Sequence, residues 1–529
     1  MTAAVERSTV ERSTAEPRTF GNWQKPRSPG LVPRLGITGS VVLLVGMLLV
    51  LLTAQTRGFL PGLTVFLVLV LALLPAVYRS PTGRNGWQVA AGQVCWALGK
   101  ARGQHVYLSA KVPPRNGEGE PVAFGQHRLP GLLASSRLLE VQSPAGQPVG
   151  LVHVPAARHY TVLLEISPEG DALVDEATVD AWVAGWASWL GDLGHEPGLV
   201  AAVVTVETAP DPGHRLAAEV EHQLADGCPP FAARVLRDCA ATYPVAAPDV
   251  TARIALTFTA KRDDLAEREL LGRRSKAGRS RNRGDTEMGQ LITSRLPGLL
   301  TALVGTGAGA VRLMAAHDIA AVVRVAYDPA AADDLDAQRA HGDPAPISWD
   351  EAGPVAAVEE FGSYRHDSAA SVTWAMVAAP RGAVTSRVLS ALLGPAQGAV
   401  RKRVTLTYRP HRAGDAASIV DSDVRTAVGR ESARAGEARA TETAALAAAR
   451  QTAKEEARGA GLTRFALLVT VTADPAALAD VTQQVDQLGR ACRLRLRRCY
   501  GTQAAAFAAA LGVGIVLPAH VTTTLGGAA

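Results

Sequence analysis

The residues of this chain best suited by type to do chemistry are cations. The run Gly272-Arg-Arg-Ser-Lys-Ala-Gly-Arg-Ser-Arg-Asn-Arg-Gly284 contains Arg273, Arg274, Lys276, Arg279, Arg281 and Arg283 and no carboxylate. Such a run is either a solvated insertion or a contact for anionic lipid or nucleic acid, since a cation near an anionic surface contributes roughly 1 kcal/mol. No aromatic is interleaved, so base stacking and sequence-specific reading are not expected. The patterns of catalysis are missing. A phosphate loop needs glycines for close backbone approach and a Lys to reach the terminal phosphates, whereas Gly305-Thr-Gly-Ala-Gly309 has no Lys-Ser/Thr after it and reads as a turn. G-x-S-x-G and H-E-x-x-H do not occur. His366-Asp-Ser368 contains triad residue types, but neighbours on a strand alternate faces and cannot converge. The histidines show no ligand spacing, and Cys95, Cys228, Cys239, Cys492 and Cys499 form no C-x-x-C pair; they read as reduced, small buried hydrophobes. No enzyme activity, metal or cofactor is expected.

The element that must position everything else is an apolar stretch near the start. Residues 35–56 and 58–78 are uncharged runs separated by Arg57. About 20 helical residues cross a hydrocarbon core roughly 30 Å thick, and backbone groups in lipid must bond internally. The spacing predicts a transmembrane helical hairpin in the lipid bilayer of the cell membrane. Arg7, Arg12, Arg18, Lys25, Arg27 and Arg34 precede it, Arg79, Arg84, Lys100 and Arg102 follow it, and the turn carries only Arg57. The positive-inside bias therefore predicts a two-span protein with both termini cytoplasmic. Residues 1–34 read as a disordered, then extended, cytoplasmic lead-in, with Met1–Pro17 lacking any periodicity. The formal charge of +5 and pI of about 9.0 suit a neighbour of an anionic leaflet.

Beyond the hairpin, residues 79–150 read as a membrane-proximal connector, opening with an amphipathic helix over Trp87–Lys100 that runs along the membrane surface and continuing into a Pro/Gly-punctuated β-rich part. Residues 151–330 form a first α+β lobe. Strands are predicted at Tyr160–Ile166, Leu199–Thr208 and Val250–Thr259; helices at Asp175–Leu193, Met288–Leu303 and His317–Ala326, with His214–Tyr243 mostly helical but interrupted near Pro229-Pro230. Residues 331–529 form a second, with strands at Pro354–Phe361, Ala369–Val377, Arg403–Tyr408, Phe465–Thr472 and Cys492–Arg498. Its helices are predicted at Thr385–Leu393, Pro475–Arg490 and Thr502–Leu511, with one long helix over residues 415–458. The fold class expected is α+β: a helical hairpin followed by two ferredoxin-like cytoplasmic lobes and a long helical segment.

Several short stretches together resemble an actinobacterial family of integral membrane proteins. They are Gly21-Asn-Trp23, Pro26-Arg-Ser-Pro-Gly30, Arg128-Leu-Pro-Gly131, Arg158-His-Tyr-Thr161, Gly194-His-Glu-Pro-Gly198, Thr205-Val-Glu-Thr-Ala-Pro-Asp-Pro-Gly213, Val325-Ala-Tyr-Asp-Pro329, Tyr364-Arg-His-Asp-Ser368, Arg401-Lys-Arg-Val-Thr405 and Tyr500-Gly-Thr-Gln-Ala504. The family is found with conjugative-transfer, type IV secretion-like gene sets. The hairpin is similar to PrgI-like two-span proteins, and the lobes, to Gln503, Phe507 and Leu511, look like the N-terminal part of type IV secretion ATPases without the motor. The resemblance implies a non-enzymatic inner-membrane scaffold in a multi-subunit complex, docking a separate motor ATPase. The alternatives are a type VII secretion core subunit and a membrane-tethered nucleic-acid-binding protein acting through residues 272–284.

Reporter fusions test the topology. Fusions at Arg18 and Gly150 are expected to report cytoplasm and one near Arg57 the outside; an external signal at Gly150 removes the cytoplasmic docking surface.

Overall fold

An apolar backbone segment satisfies its own hydrogen bonds only as a helix, and both apolar runs do so. In the computed structural model α1 covers Gly36–Arg57 and α2 covers Phe59–Val77. Gly58, at φ 96°, turns the chain between them, and Gly46 and Gly62 let the pair close: a Cβ would stand 2.4 Å from a Leu69 methyl and 2.7 Å from the Ala54 Cβ. Gly39–Arg57 and Phe59–Ala76, with mean hydropathy 2.0 and 2.5, are long and apolar enough to cross a membrane. The structure describes residues 20–21, 23, 36–78, 80, 84–109, 129–170, 174–211, 213–242, 248–262, 282–340, 347–380, 382–396, 398–432 and 440–521. The expected disorder of Met1–Pro17 lies outside them.

Helix α3 (Gly86–Ala101) follows, opened by a reciprocal cap between Asn85 and Gln88. It is tied at both ends. Trp87 Nε1 donates to the Ala72 carbonyl at 2.9 Å, and Trp96 packs on Phe361 with ring centroids 6.0 Å apart. β1 (Val106–Leu108) then joins the edge of the main sheet. The hairpin is thus linked to the rest by packed contacts.

The rest is built on one sheet of thirteen strands, each strand pairing antiparallel. In chain order come β2 (Arg137–Gln142), β3 (Pro148–Val154), β4 (His159–Ser167), α4 (Glu176–Asp192), β5 (Leu199–Pro210), α5 (His214–Gln223), α6 (Pro230–Thr242), β6 (Pro248–Thr259), α7 (Asp285–Thr301), β7 (Ala310–Leu313), α8 (Ala316–Tyr327) and α9 (Ala332–Ala340). The second half supplies β8 (Ala356–Glu359), β9 (Tyr364–His366), β10 (Ala369–Ala378), α10 (Ser390–Leu393), β11 (Arg401–Pro410), α11 (Ala413–Ser432), α12 (Ala440–Ala457), β12 (Thr463–Ala473), α13 (Leu478–Ala491), β13 (Arg495–Arg498) and α14 (Gln503–Ala510).

Two stretches follow the same path. β4, β5, β6 and β7 lie in the order β5-β6-β4-β7, and β10, β11, β12 and β13 in the order β11-β12-β10-β13. Each half carries a pair of helices at the same place, α5–α6 before β6 and α11–α12 before β12. Here the expectation of one long helix over 415–458 is corrected: α11 and α12 are separate helices packed through Val424 and Ala427 against Leu446 and Ala449. Such an Ala-rich sequence is marginal as an isolated helix and gains by burying its apolar spots. The predicted helix at Thr385–Leu393 is a 3₁₀ turn and then the single turn α10.

The halves meet edge to edge through β5 and β11, from Lys402↔Thr208 to Tyr408↔Ala202. One face of the sheet is covered by α8 and α14, through Ile319, Val323, Tyr327 and Phe507. The other face is covered by α4 and α7 over the first half and α13 over the second. At the junction the α14 face buries charge. Glu207 of β5 binds Arg253 of β6 (Nη2 2.8 Å from Oε2), Arg403 (Nε 3.1 Å from Oε2) and Arg401 (Nη1 3.0 Å from Oε1). The Arg403 guanidinium lies 5.7 Å from the Phe507 ring centroid. After α14 the chain crosses onto the first half. Thr405 Oγ1 donates to the Ala510 carbonyl at 2.7 Å. Gly512 (φ 72°) and Gly514 (φ 96°) press so close that a Cβ would stand 2.5 Å from Thr205 Oγ1 and 2.2 Å from Thr161 Oγ1.

Burial alone would push the Glu207 carboxyl up; Arg403, Arg253 and Arg401 overcome this and hold it well below the usual range. Glu207→Gln leaves three guanidiniums in the seam without an anion and is expected to destabilise the protein by about 3–5 kcal/mol, measured by denaturant unfolding of the full-length protein in detergent. Because the folded value is depressed, the carboxylate's contribution is complete above the ordinary glutamate value of 4.5 and is lost as pH falls from there toward the folded value. Glu207→Gln is expected to remove that acid-side loss.

Candidate functional site

The cationic run lies in the segment between β6 and α7, whose two described ends, Ala260–Arg262 and residues 282–284, meet. Ala260 N–H donates to the Arg158 carbonyl at 2.9 Å, and Arg283 N–H to the Ala260 carbonyl at 3.0 Å. The Arg283 Nη1 donates to the Lys261 carbonyl at 3.2 Å, and its Nε lies 3.6 Å from Glu287 Oε1. Arg262 Nη2 donates to both oxygens of the same carboxylate, at 3.0 and 3.2 Å. Glu287 also sits in the first turn of α7, where the helix dipole favours an anion. Arg283 therefore closes the neck of the insertion. Arg273, Arg274, Lys276, Arg279 and Arg281 lie outside the described residues.

The histidine of the His366-Asp-Ser368 stretch has a different hydroxyl neighbour. Its Nδ1 is 2.5 Å from the Tyr327 carbonyl and so carries the proton, and its Nε2 accepts from Ser371 Oγ at 2.7 Å. Ser371 Oγ is in turn 2.7 Å from Thr472 Oγ1. A base-to-hydroxyl bond is half of a nucleophile's machinery, but His366 and Ser371 are fully buried, and Tyr327, Tyr364 and Phe507 pack edge-on or tilted around the imidazole. Burial pushes its pKa down to about 4. Its role is to satisfy polar groups in the core. Asp367, at φ 38°, accepts from the Val355 and Ala356 N–H groups, and Ser368 donates to Asp328. Only His366 lies on a strand; Asp367 and Ser368 form the turn between β9 and β10, and the three side chains bind separate partners.

The remaining candidates resolve in the same way. Gly305, Gly307 and Gly309 all have positive φ and form the turn into β7, with Gly307 against Trp182. A cleft of about 410 Å³ is lined by Asp334, Asp350, Glu351 and Arg324 among others, and Arg324 is already held by Asp328, Asp367 and the Gly353 carbonyl. No group of three His, Cys, Asp or Glu side chains is placed to hold a metal among the described residues. Cys492 and Cys499 are buried as expected; Cys95 and Cys239 are exposed and Cys228 half-buried, which corrects the reading of all five as core.

Sequence reasoning missed the buried charges of the seam. The signal was present: Glu207 and Arg253 are the only charged residues of the predicted strands Leu199–Thr208 and Val250–Thr259, and Arg403 opens the predicted strand Arg403–Tyr408; a charge buried at such a position persists only if paired.

A family model described as a domain of unknown function (DUF8461) matches residues 27–88. The matched stretch holds the hairpin and the first residues of α3. No curated protein matches the chain.

The neck geometry separates Arg283 from its neighbours. Replacing Arg273, Arg274, Lys276, Arg279 and Arg281 together by Ser is expected to leave the unfolding midpoint unchanged. Arg283→Ser is expected to lower stability by about 1 kcal/mol, the net worth of a hydrogen bond, read by denaturant unfolding. Equal effects of the two variants would contradict this division.

Proposed function

We propose that the chain is a non-enzymatic membrane scaffold whose two ferredoxin-like lobes stand in the cytoplasm and dock a separate motor ATPase of a conjugative DNA-transfer, type IV secretion-like machine. The observation that carries the reading is the strand path β5-β6-β4-β7 and its repeat β11-β12-β10-β13, fused through β5 and β11 and tied by α3 to an apolar hairpin. A split β-α-β unit with two crossover helices gives this order in each half. Two such units joined into one sheet, held to a pair of membrane-length helices through packed aromatics, make a platform whose orientation to the bilayer is set. That suits a part that positions other proteins. Two buried titratable groups, His366 in the core and Glu207 in the seam, are consumed within the fold. The machine itself is inferred from the resemblance of the ten short stretches above. Both ends of the hairpin on one side follow from the cationic flanks.

Confinement to one membrane patch raises effective concentration, to about the millimolar range for closely linked sites, so a weak dock suffices. Gentle crosslinking in native membranes followed by purification of the full-length protein is expected to recover a Walker-motif transfer ATPase, while calorimetry of the purified full-length protein with magnesium-ATP is expected to be flat. Saturable ATP binding by the protein alone overturns the scaffold reading, and recovery of type VII secretion components in place of a transfer ATPase moves the assignment to that machine.

A further inference from the structure

Helix α3 leaves its apolar side uncovered. Trp87, Ala91, Val94 and Leu98 recur at i, i+4, i+7 and i+11 and so form one stripe. Trp87, Val94 and Leu98 are each more than half exposed, and no residue of the helix is buried. The other side of α3 meets the sheet: Trp96 packs on Phe361, and a Cβ on Gly501 would stand 3.6 Å from the Trp96 Cβ. The stripe begins beside the hairpin. A Cβ on Gly86 would stand 2.8 Å from the Pro75 carbonyl oxygen, and Trp87 donates to the Ala72 carbonyl, inside the membrane-length segment Phe59–Ala76. An apolar stripe that starts at this depth and faces outward matches the helices that lie in the plane of a membrane interface.

Two guanidiniums stand behind that helix. The loop after α2 is closed by Gly86 N–H on the Tyr78 carbonyl at 3.2 Å and by Ser80 N–H on the Arg84 carbonyl at 2.9 Å, which keeps Arg84 close to the end of α2. The Arg84 side chain runs over the sheet side of α3: its Nη1 lies 3.9 Å from where a Cβ on Gly92 would stand, one turn before Trp96. Arg497 comes to the same place from β13, cross-strand from Ala375, and its Nε is buried without a hydrogen-bond partner. Neither guanidinium has an ion pair among the described residues. The electrostatics agree with this placement. Burial, then Arg84, lower Arg497, and only the neighbouring Cys499 opposes them. Burial pushes the Cys499 thiol up to about 11 against the pull of Arg497 and Arg84. No carboxylate acts on either group.

We propose that α3 lies in the headgroup layer with Trp87, Val94 and Leu98 at the acyl boundary, and that Arg84 and Arg497, on its outer side, hold the phosphate of an anionic phospholipid. The depths agree. A helix is about 10–12 Å across, and an interfacial one sinks its apolar face about 5–10 Å. Its far side then emerges within a headgroup layer about 5–7 Å thick. The phosphate neutralises two cations that the fold leaves without an anion, and it fixes the β13 end of the sheet against the leaflet. The site is separate from residues 272–284. It rests on the membrane reading of the hairpin and is independent of which machine the protein serves.

Two measurements on the full-length protein test it. In liposomes, spin labels are placed singly on Val94→Cys, Leu98→Cys and Gln93→Cys, with Cys95, Cys228 and Cys239 replaced by Ser. Labels at 94 and 98 are expected to be reached by oxygen more than by a water-soluble nickel chelate, and the label at 93, off the stripe, by the chelate more than by oxygen. Chelate access at all three positions would overturn the insertion of α3. In detergent, native mass spectrometry follows titration with phosphatidylglycerol and separately with phosphatidylcholine. The wild type is expected to prefer phosphatidylglycerol. Arg84→Gln combined with Arg497→Gln should weaken that binding about twenty-five-fold, at about fivefold for each cation near an anionic surface, with phosphatidylcholine binding unchanged and an unfolding midpoint equal to or above wild type. A phosphatidylglycerol preference unchanged in the double variant would overturn the phosphate site. Binding of inorganic phosphate that the double variant loses, without any preference between the two lipids, would replace the headgroup by a free phosphate ligand and overturn the proposal.

Discussion

Glu207 neutralises guanidiniums from the two strands that flank its own, and the sheet's continuity rests on that shared carboxylate. A one-residue slip of β11 against β5 would carry Arg403 to the opposite face, among Trp186, Leu406 and Tyr408, and leave Glu207 facing Lys402 or Val404. Apolar packing tolerates such a shift better than buried charge does. The arginines thus act less as a source of net stability than as a register device, the best-attested use of buried ions. Phe507 caps Arg403 from α14, so that helix also shields the seam.

Around that seam the two halves are equivalent in path and unequal in detail. β3 and β7 share one edge of β4, just as β9 and β13 share one edge of β10. The helix between the first two strands of each unit is long in the first half, α4, and little more than a turn in the second. A hydroxyl ladder continues the polar row across both: Thr161 to Thr257, Thr373 to Thr470, and Ser371 to Thr472. Each pair meets its own hydrogen-bonding needs across the strands, which lets a sheet face stay dry without being wholly apolar.

How much of this could be read from residue order varies with the size of the signal. The apolar runs before and after Arg57 were legible to within a residue or two, because nothing else in a protein interior is that long and that uncharged. Long strands with clear alternation were also legible, Val250–Thr259 among them. β7 was not: four residues at an edge, preceded by three glycines in a turn, give no periodicity to read. The break between α11 and α12 was hidden because Ala, Arg and Glu favour helix on either side of it. The six cations of the insertion were visible as a run, but the neck role of Arg283 depends on carbonyls of residues 260 and 261 that composition does not mark. Several stretches that carried the family resemblance fall on buried polar positions, among them Glu207, His366, Arg403 and Gln503; their sequence distinctiveness reflected partners far away in the chain.

The distance along the chain between Glu207 and Arg403, 196 positions, bears on biosynthesis. The hairpin leaves the ribosome first and can reach the bilayer while the sheet is still unmade. At roughly 5–20 residues per second, β5 waits about 10–40 s for its neighbour, with a charged side chain aimed at a core that does not yet exist. An open strand edge is a template for the wrong partner, but one that carries a buried carboxylate shared so far only with Arg253 is a poor template for anything except an arginine-bearing strand. The same residue that sets the register in the finished protein thereby guards the nascent chain, and the crossing segment at Gly512 and Gly514 seals the sheet only after translation has passed it.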